Sequence, residues 1–234
     1  MIPYCIAYSS NHRIGQVEFI ESQTEWTKKW DVDTVYYDVV YDDSLKLISK
    51  RKLRRAVNLA MTTWDFEIPV KFKSAWTRKK KPHITISFKD SEDDPYFENR
   101  PSVLAYAYLP GQGSYSGKIV FNSSYIWDLK GKGIKASEAI KKGLVKNAHP
   151  GSTLRTYNIL HVLIHEIGHS IGLRHDVSGV TDGRDVMDPF YKGEVLDLSI
   201  RDILRIRDKY GARNWEKVTR YEIMKRWLRR RIRM

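Results

Sequence analysis

Cysteine is nearly absent from this chain. Of its 234 residues only Cys5 is one. No intramolecular disulfide and no cysteine-based zinc finger can form. Long apolar runs are also missing. No stretch approaches the 18 residues that a membrane-spanning helix needs, and MIPYCIAYSSNHR has no basic start followed by an apolar segment of the secretory kind. The expected location is therefore intracellular or released by a non-standard route. Acidic residues are outnumbered, with 28 Asp and Glu against 41 Lys and Arg. The net charge of +13 favours anionic surfaces in general without naming one.

Apolar content of 41% and aromatic content of 12% suffice for one packed core. Residues 1–25 lack clear periodicity and are expected to be an extended lead-in. VYYDVV, from Val35 to Val40, has the composition of a strand. Leu53, Ala56, Val57, Ala60, Met61 and Trp64 form one apolar stripe at helical period. Lys50, Arg51, Lys52, Arg54 and Arg55 lie off that stripe and are expected to be a solvated basic face. Further strands are expected over Val70 to Ala75, His83 to Phe88, Leu104 to Leu109 and Lys118 to Asn122. The acidic stretch KDSEDDPYFENRPS between two of them has the proline punctuation of a loop.

A basic, glycine-rich insertion covers about residues 128–152, with a short helix from about Lys135 to Lys146. A long helix is expected from Thr156 to Leu173, burying one side through Ile159, Val162, Leu163, Ile167 and Ser170. Another runs from Ser199 to Tyr210 on Ile200, Ile203, Leu204 and Ile206, with Gly211 as its C-cap. The remainder, 212–234, carries eight Lys and Arg against two Glu from Asn214 onward. Val218, Tyr221, Met224, Leu228 and Ile232 recur every three or four residues there. A basic amphipathic helix is expected, to pack on the domain or to meet a membrane or nucleic acid.

Three of the seven histidines stand within HEIGHSIGLRHD. On a helix, His165 and His169 share a face one turn apart and can grip one metal ion. Glu166, adjacent to the first, can reach an attacking water without being a ligand. Gly172 tolerates the positive φ of a sharp turn, which would swing His175 back as a third ligand. Three imidazoles leave a zinc ion's fourth position open, as catalytic sites require. The full spacing H-E-x-x-H-x-x-G-x-x-H fixes five positions in eleven and is far more specific than its first half. Downstream, DVMDPFY places Met187 a short loop after His175.

In these features the chain resembles the metzincins and, among them, the matrixins, the catalytic domains of matrix metalloproteinases. The resemblance spans residues 26–211. It rests on Trp30, VYYDVV, the helix ending at Trp64, ITISF, LAYAYLPGQG, HEIGHSIGLRHD, VMDPFY and LSIRDILRIRDKYG, in that order. It implies an α+β fold with a twisted five-stranded mixed sheet, an antiparallel edge strand and three helices. It implies a metalloendopeptidase with one catalytic zinc on His165, His169 and His175, Glu166 as general base and Met187 as the methionine turn. An extended peptide would lie along the strand Leu104 to Tyr108, whose Leu104 and Ala105 would wall the main side-chain pocket. Pro189, Phe190 and Tyr191 would wall the main side-chain pocket, and His161 would set its depth.

Departures from the family pattern carry expectations too. Tyr106 and Val120 stand where structural-zinc histidines would be, so no structural zinc is expected. The calcium loops are degraded at Asn122, Ser123 and Ser124, which leaves Asp93, Asp94 and Glu98 as ligands for at most one weak ion. Packing by Phe97, Tyr106 and Tyr108 would take over their stabilising role. IPYCIAY does not match the P-R-C-G-type inhibitory motif, and Asp176 replaces the usual Ser or Thr. So compact a form would suit a virus-encoded or simplified member. A monomer acting on matrix-type or gelatin-like proteins is expected. The competing reading is a metal-containing protein that binds nucleic acid or membrane through its basic surface and tail.

Overall fold

A computed structural model of the chain describes residues 4–8, 28–149, 151–176, 184–191, 193 and 195–214. The amphipathic tail expected beyond residue 214 and most of the lead-in lie outside these residues.

Among the described residues, eleven strands and five α-helices follow in order. They are β1 (Tyr4–Tyr8), β2 (Thr34–Val39), α1 (Lys50–Asp65), β3 (Lys71–Ser74), β4 (Ile84–Lys89), α2 (Pro95–Glu98), β5 (Val103–Ala107) and β6 (Lys118–Asn122). Next come β7 (Trp127–Asp128), β8 (Ile134–Lys135), α3 (Ala136–Lys141), β9 (Thr153–Leu154) and β10 (Tyr157–Asn158). The chain then forms α4 (Ile159–Ser170), β11 (Phe190–Tyr191) and α5 (Ile200–Tyr210).

The main sheet has the order β11-β1-β5-β6-β4-β2-β3. Its five-stranded body is mixed: β3, β2, β4 and β6 are parallel, and β5 runs antiparallel to β6. This is the α+β arrangement the resemblance implied. Two strands extend it. β1 pairs antiparallel with β5, and β11 pairs parallel with β1. The residue pairs β7 with β10 and β8 with β9 pin the basic insertion.

The stripe read on α1 is the one buried, and Ser49 caps the helix by accepting from Lys52 N. Trp64 is fully buried, and its indole donates to Ile164 O of α4 at 2.9 Å, joining the two helices. In β4 the alternation of ITISF matches alternating burial, whereas β5 is buried on both faces because it lies inside the sheet.

Three readings of the sequence need correction. All twelve residues of α4 are buried, not one side. The helix is packed by α1 and the sheet and lies under the 184–191 segment, so even its polar residues are buried. It also starts later than Thr156, because Tyr157–Asn158 pairs with β7 and Asn158 caps α4. In α5 the expected stripe is misplaced: Ile200 and Leu204 are 69% and 59% exposed, while Asp202 and Ile206 are buried. A carboxylate that accepts from two backbone amides takes the interior there in place of Ile200 and Leu204. Finally, KDSEDDPYFENRPS is not all loop, since Asp94 and Pro95 start the short helix α2.

Candidate metal centre

Helix α4 presents His165 and His169 on one face, with ring centroids 4.6 Å apart. After Ser170 the chain turns. Gly172 N donates to His169 O at 2.8 Å, and Leu173 N donates to Gly168 O at 2.9 Å. Gly172 has φ +104°, and a Cβ there would lie 2.8 Å from Lys28 O. Only glycine fits this turn. The turn returns His175 to the pair, 5.3 Å from the His165 ring and 4.7 Å from the His169 ring. One nitrogen from each of the three lies within 4.8 Å of the others, and His165 and His169 are buried.

The tautomers are set by the backbone. His165 Nδ1 lies 2.6 Å from Val186 O and His169 Nδ1 lies 2.7 Å from Leu173 O. A carbonyl accepts, so both Nδ1 atoms carry the proton. Burial, the largest influence, holds both rings well below the usual 6.5 and hence neutral. Both Nε2 atoms then present a lone pair, and they lie 3.0 Å apart. Two lone pairs so placed repel unless a cation lies between them. Two nitrogens on one tetrahedral zinc, each at about 2.0–2.1 Å, would be about 3.3 Å apart. The donor set therefore fits zinc.

Glu166 is fully buried beside His165 on α4. Met187 is also fully buried, and it packs under the helix at Gly168, where a Cβ would meet its Sδ at 2.3 Å. Leu104 and Ala105 are buried in β5. Tyr191 Oη accepts from Asn158 N at 3.0 Å, which ties β11 to the start of α4. The buried His161 ring sits 4.9 Å from that of Tyr191 and contacts Gly193 O through Nδ1. Burial pushes its pKa down to about 4. Pro189 and Phe190 lie nearer the surface, with Phe190 38% exposed.

With this geometry, the matrixin family model matches residues 25–211. The chain belongs to the matrixin family. It is similar to matrilysin of Felis catus, 32% identical over 193 residues, covering 80% of this chain and 61% of that protein. It is similar to matrix metalloproteinase-18 of Xenopus laevis, 26% identical over 212 residues, covering 89% of this chain and 37% of the relative. Karilysin of Tannerella forsythia is 26% identical over 187 residues, covering 78% and 33%. The chain thus spans about three fifths of the first relative and about a third of the other two. Membership in the matrixin family implies a catalytic zinc, and the three histidines could hold it.

Several residues that hold this matrixin site had no evident marker in the sequence. Asp176 is buried and forms an ion pair with Arg201 Nε, with Arg205 Nη1 at 3.8 Å. Its amide donates to Met187 O at 2.8 Å. Arg205 Nη2 donates to Arg174 O at 2.8 Å. Helix α5 thereby clamps the loop that carries His175. The start of α5 grips the methionine segment as well. Asp202 accepts from Val186 N at 2.9 Å and Ser199 N at 3.0 Å, and Ser199 Oγ donates to Asp185. Burial raises the Asp202 carboxyl above its usual range. At the end of α4, Trp30 Nε1 donates to Ser170 O at 2.8 Å and Tyr210 Oη donates to Ile171 O at 3.0 Å. Burial pushes that phenol up to about 12. The S-x-x-D spacing at Ser199 and Asp202 was a readable capping pattern. Nothing in the sequence paired Asp176 with Arg201.

Where the family's structural ions were not expected, Tyr106 Oη donates to Asp94 Oδ2 at 2.5 Å. Asp94 also caps α2 through Tyr96 N at 3.1 Å. Phe97, Val103, Tyr106 and Val120 close into a separate small core there, with Tyr96 and Tyr108 against it.

Proposed function

We propose that this matrixin is a zinc-dependent metalloendopeptidase that hydrolyses internal peptide bonds of proteins, with matrix-type or gelatin-like substrates. The observation that supports the reading is the gathering of three imidazoles, one nitrogen of each within 4.8 Å of the others, with Nε2 of His165 and His169 3.0 Å apart. His165, His169 and His175 would hold the ion. Zinc, when bound, supplies Lewis acidity toward a water and the scissile carbonyl.

The chain's own residues do the rest. Val186 O and Leu173 O fix the ring orientation of His165 and His169. Glu166, one residue along the helix from His165, takes the proton of the attacking water on its carboxylate and passes it to the leaving nitrogen. Burial of the Glu166 side chain keeps bulk water from competing for that proton. A peptide extended along β5 gains main-chain hydrogen bonds. Its principal side chain enters between Leu104, Ala105, His161 and the 189–191 segment. We propose one zinc only: Tyr106 and Asp94 bond each other where a structural ion would otherwise be needed, which also argues against calcium there.

The test is cleavage of gelatin and casein with and without a chelator. Cleavage that stops with the chelator and returns with zinc is expected. The variant Glu166→Gln should keep one zinc per chain by elemental analysis and lose turnover by about 10²-fold or more. A metal-loaded wild-type protein that cleaves neither protein would instead favour a binding role through the basic surface.

A further inference from the structure

Charge is unevenly shared along this chain. Residues 44–89, about a fifth of it, carry thirteen Lys and Arg against two acids, Asp65 and Glu67. That stretch supplies eleven of the net +13. Neither acid answers the local cations. Glu67 pairs with Arg207 at 2.6 Å and Asp65 with Arg213 at 3.4 Å. Lys89 pairs with Asp94 at 3.8 Å. No ion pair among the described residues engages the other twelve cations.

The fold gathers these charges at one edge. The buried stripe of α1 leaves Arg51 and Arg55 exposed. The Arg54 guanidinium lies over the Trp76 ring at 5.2 Å, and that ring makes a T-shaped contact with Tyr37 at 5.5 Å. Trp76 thus roots the exposed run from Arg78 to Lys81 beside α1. Phe72 packs on the core, so Lys71 and Lys73 turn to the other face of β3. β3 is the last strand of the sheet, at the end opposite β5 and β11. A partner held there leaves the peptide cleft open.

These cations do nothing for the fold. Lys50, Arg51 and Lys52 fill the first turn of α1, where the helix dipole disfavours positive charge, and no acid stands there. The four neighbouring cations at 78–81 repel one another as well. What the surface meets has to account for them.

Its chemistry narrows the partner. No large apolar side chain between residues 44 and 89 is exposed, so nothing there enters a lipid layer. No ring is open for a base to stack on, because Arg54 covers Trp76 and Phe72 faces the core. What remains is attraction to a dense row of fixed negative charge. Arg51 and Arg55 stand one turn apart, about 6 Å along the helix axis. Alternate phosphates on one strand of a duplex are about 6.8 Å apart along its axis. A duplex is also stiff, so it loses little freedom on meeting cations that the fold already holds in place.

We propose that the β3 edge is a second binding surface, which holds double-stranded nucleic acid by its phosphates without reading base sequence. This goes beyond the peptidase reading and stands without it.

A labelled short DNA duplex is titrated with the full zinc-loaded chain by fluorescence anisotropy. Binding is expected at about 50 mM salt, equal for two unrelated sequences and falling steeply as salt rises. The variant Lys79→Gln/Lys80→Gln/Lys81→Gln should bind about tenfold or more weakly. It should also flatten the log–log salt slope by about 2 to 3, since each lost phosphate contact removes about 0.9. Arg51→Gln/Arg55→Gln should flatten it by about 2. These side chains are exposed, and the thermal melts of both variants should not fall below that of the wild type. No duplex binding at that salt, or variants that bind as the wild type does, overturns the proposal. So does a loss carried wholly by Arg229→Gln/Arg230→Gln/Arg231→Gln in the C-terminal segment. Retention of heparin or of phosphatidylserine vesicles without retention of duplex also overturns it, as does tighter binding to one sequence. Casein cleavage keeps the two readings apart. If the variants cleave casein as the wild type does but bind duplex no more weakly, the nucleic-acid surface falls and the peptidase stands. If no chain cleaves casein and the variants lose duplex, the peptidase falls and the surface stands.

Discussion

Two buried polar clusters lie on either side of β5, and they resolve their charges in opposite ways. In the Tyr106 cluster a hydroxyl donates to the Asp94 carboxylate, and aromatic rings close round the pair. In the histidine cluster the Nδ1 donors of His165 and His169 are spent on backbone carbonyls, and their Nε2 atoms lie 3.0 Å apart. The first is closed within the protein. The second gathers three imidazoles that could hold a cation. A polar group in the interior is informative about ligands when its neighbours share its sign of polarity, and about packing when they complement it.

Breaking the histidine cluster should have the largest effect. His169→Ala is expected to abolish stoichiometric zinc and proteolysis together, measured by elemental analysis and casein cleavage, while the Tyr106 cluster is untouched. Zinc retained at one per chain would remove His169 from the ligand set.

The clamp on His175 comes next. Asp176→Ala removes the anchor of Arg201 and leaves all three imidazoles in place. Zinc affinity should fall about 10- to 100-fold in a competition with a chromophoric chelator, as for other residues that orient ligands. Unchanged affinity would show that α5 does not hold the loop.

Tyr106→Phe probes the other side of β5. It strips one donor from Asp94 and should lower unfolding stability by about 1–3 kcal/mol in a denaturant titration. Zinc content should stay at one per chain. A loss of metal in this variant would erase the distinction between the clusters.

The mildest prediction concerns pH. His161 titrates at about 4 in the folded chain because it is buried, against 6.5 in the unfolded chain. Its contribution is fully present above 6.5 and is lost as pH falls from 6.5 toward 4, because the unfolded chain takes the proton first. His161→Leu should flatten the acid limb of the stability curve in that window, by up to about 1.4 kcal/mol per pH unit. Parallel curves for the two proteins would show that His161 is not held neutral by the fold.

Much of this architecture was legible because periodicity and burial agree where an element has one wet face. The stripe of α1 and the alternation of β4 are such cases. The ligand spacing was legible for a different reason: coordination fixes residue type and interval together, and Gly172 marked the turn. Legibility failed where distant charges decide what is inside. Ile200 and Leu204 face out because Asp202 must reach Val186 and Ser199. Asp176 read as a departure from the family, but its partner Arg201 lies 25 residues away. β11 is too short to show a period, and β1 is defined by its neighbours instead of its own pattern.

Helix α4 has water on none of its sides. His165, Glu166 and His169 therefore sit on a helix with no solvated face. On heating, inactivation and the cooperative melt should be one event, with no dormant but folded species in between.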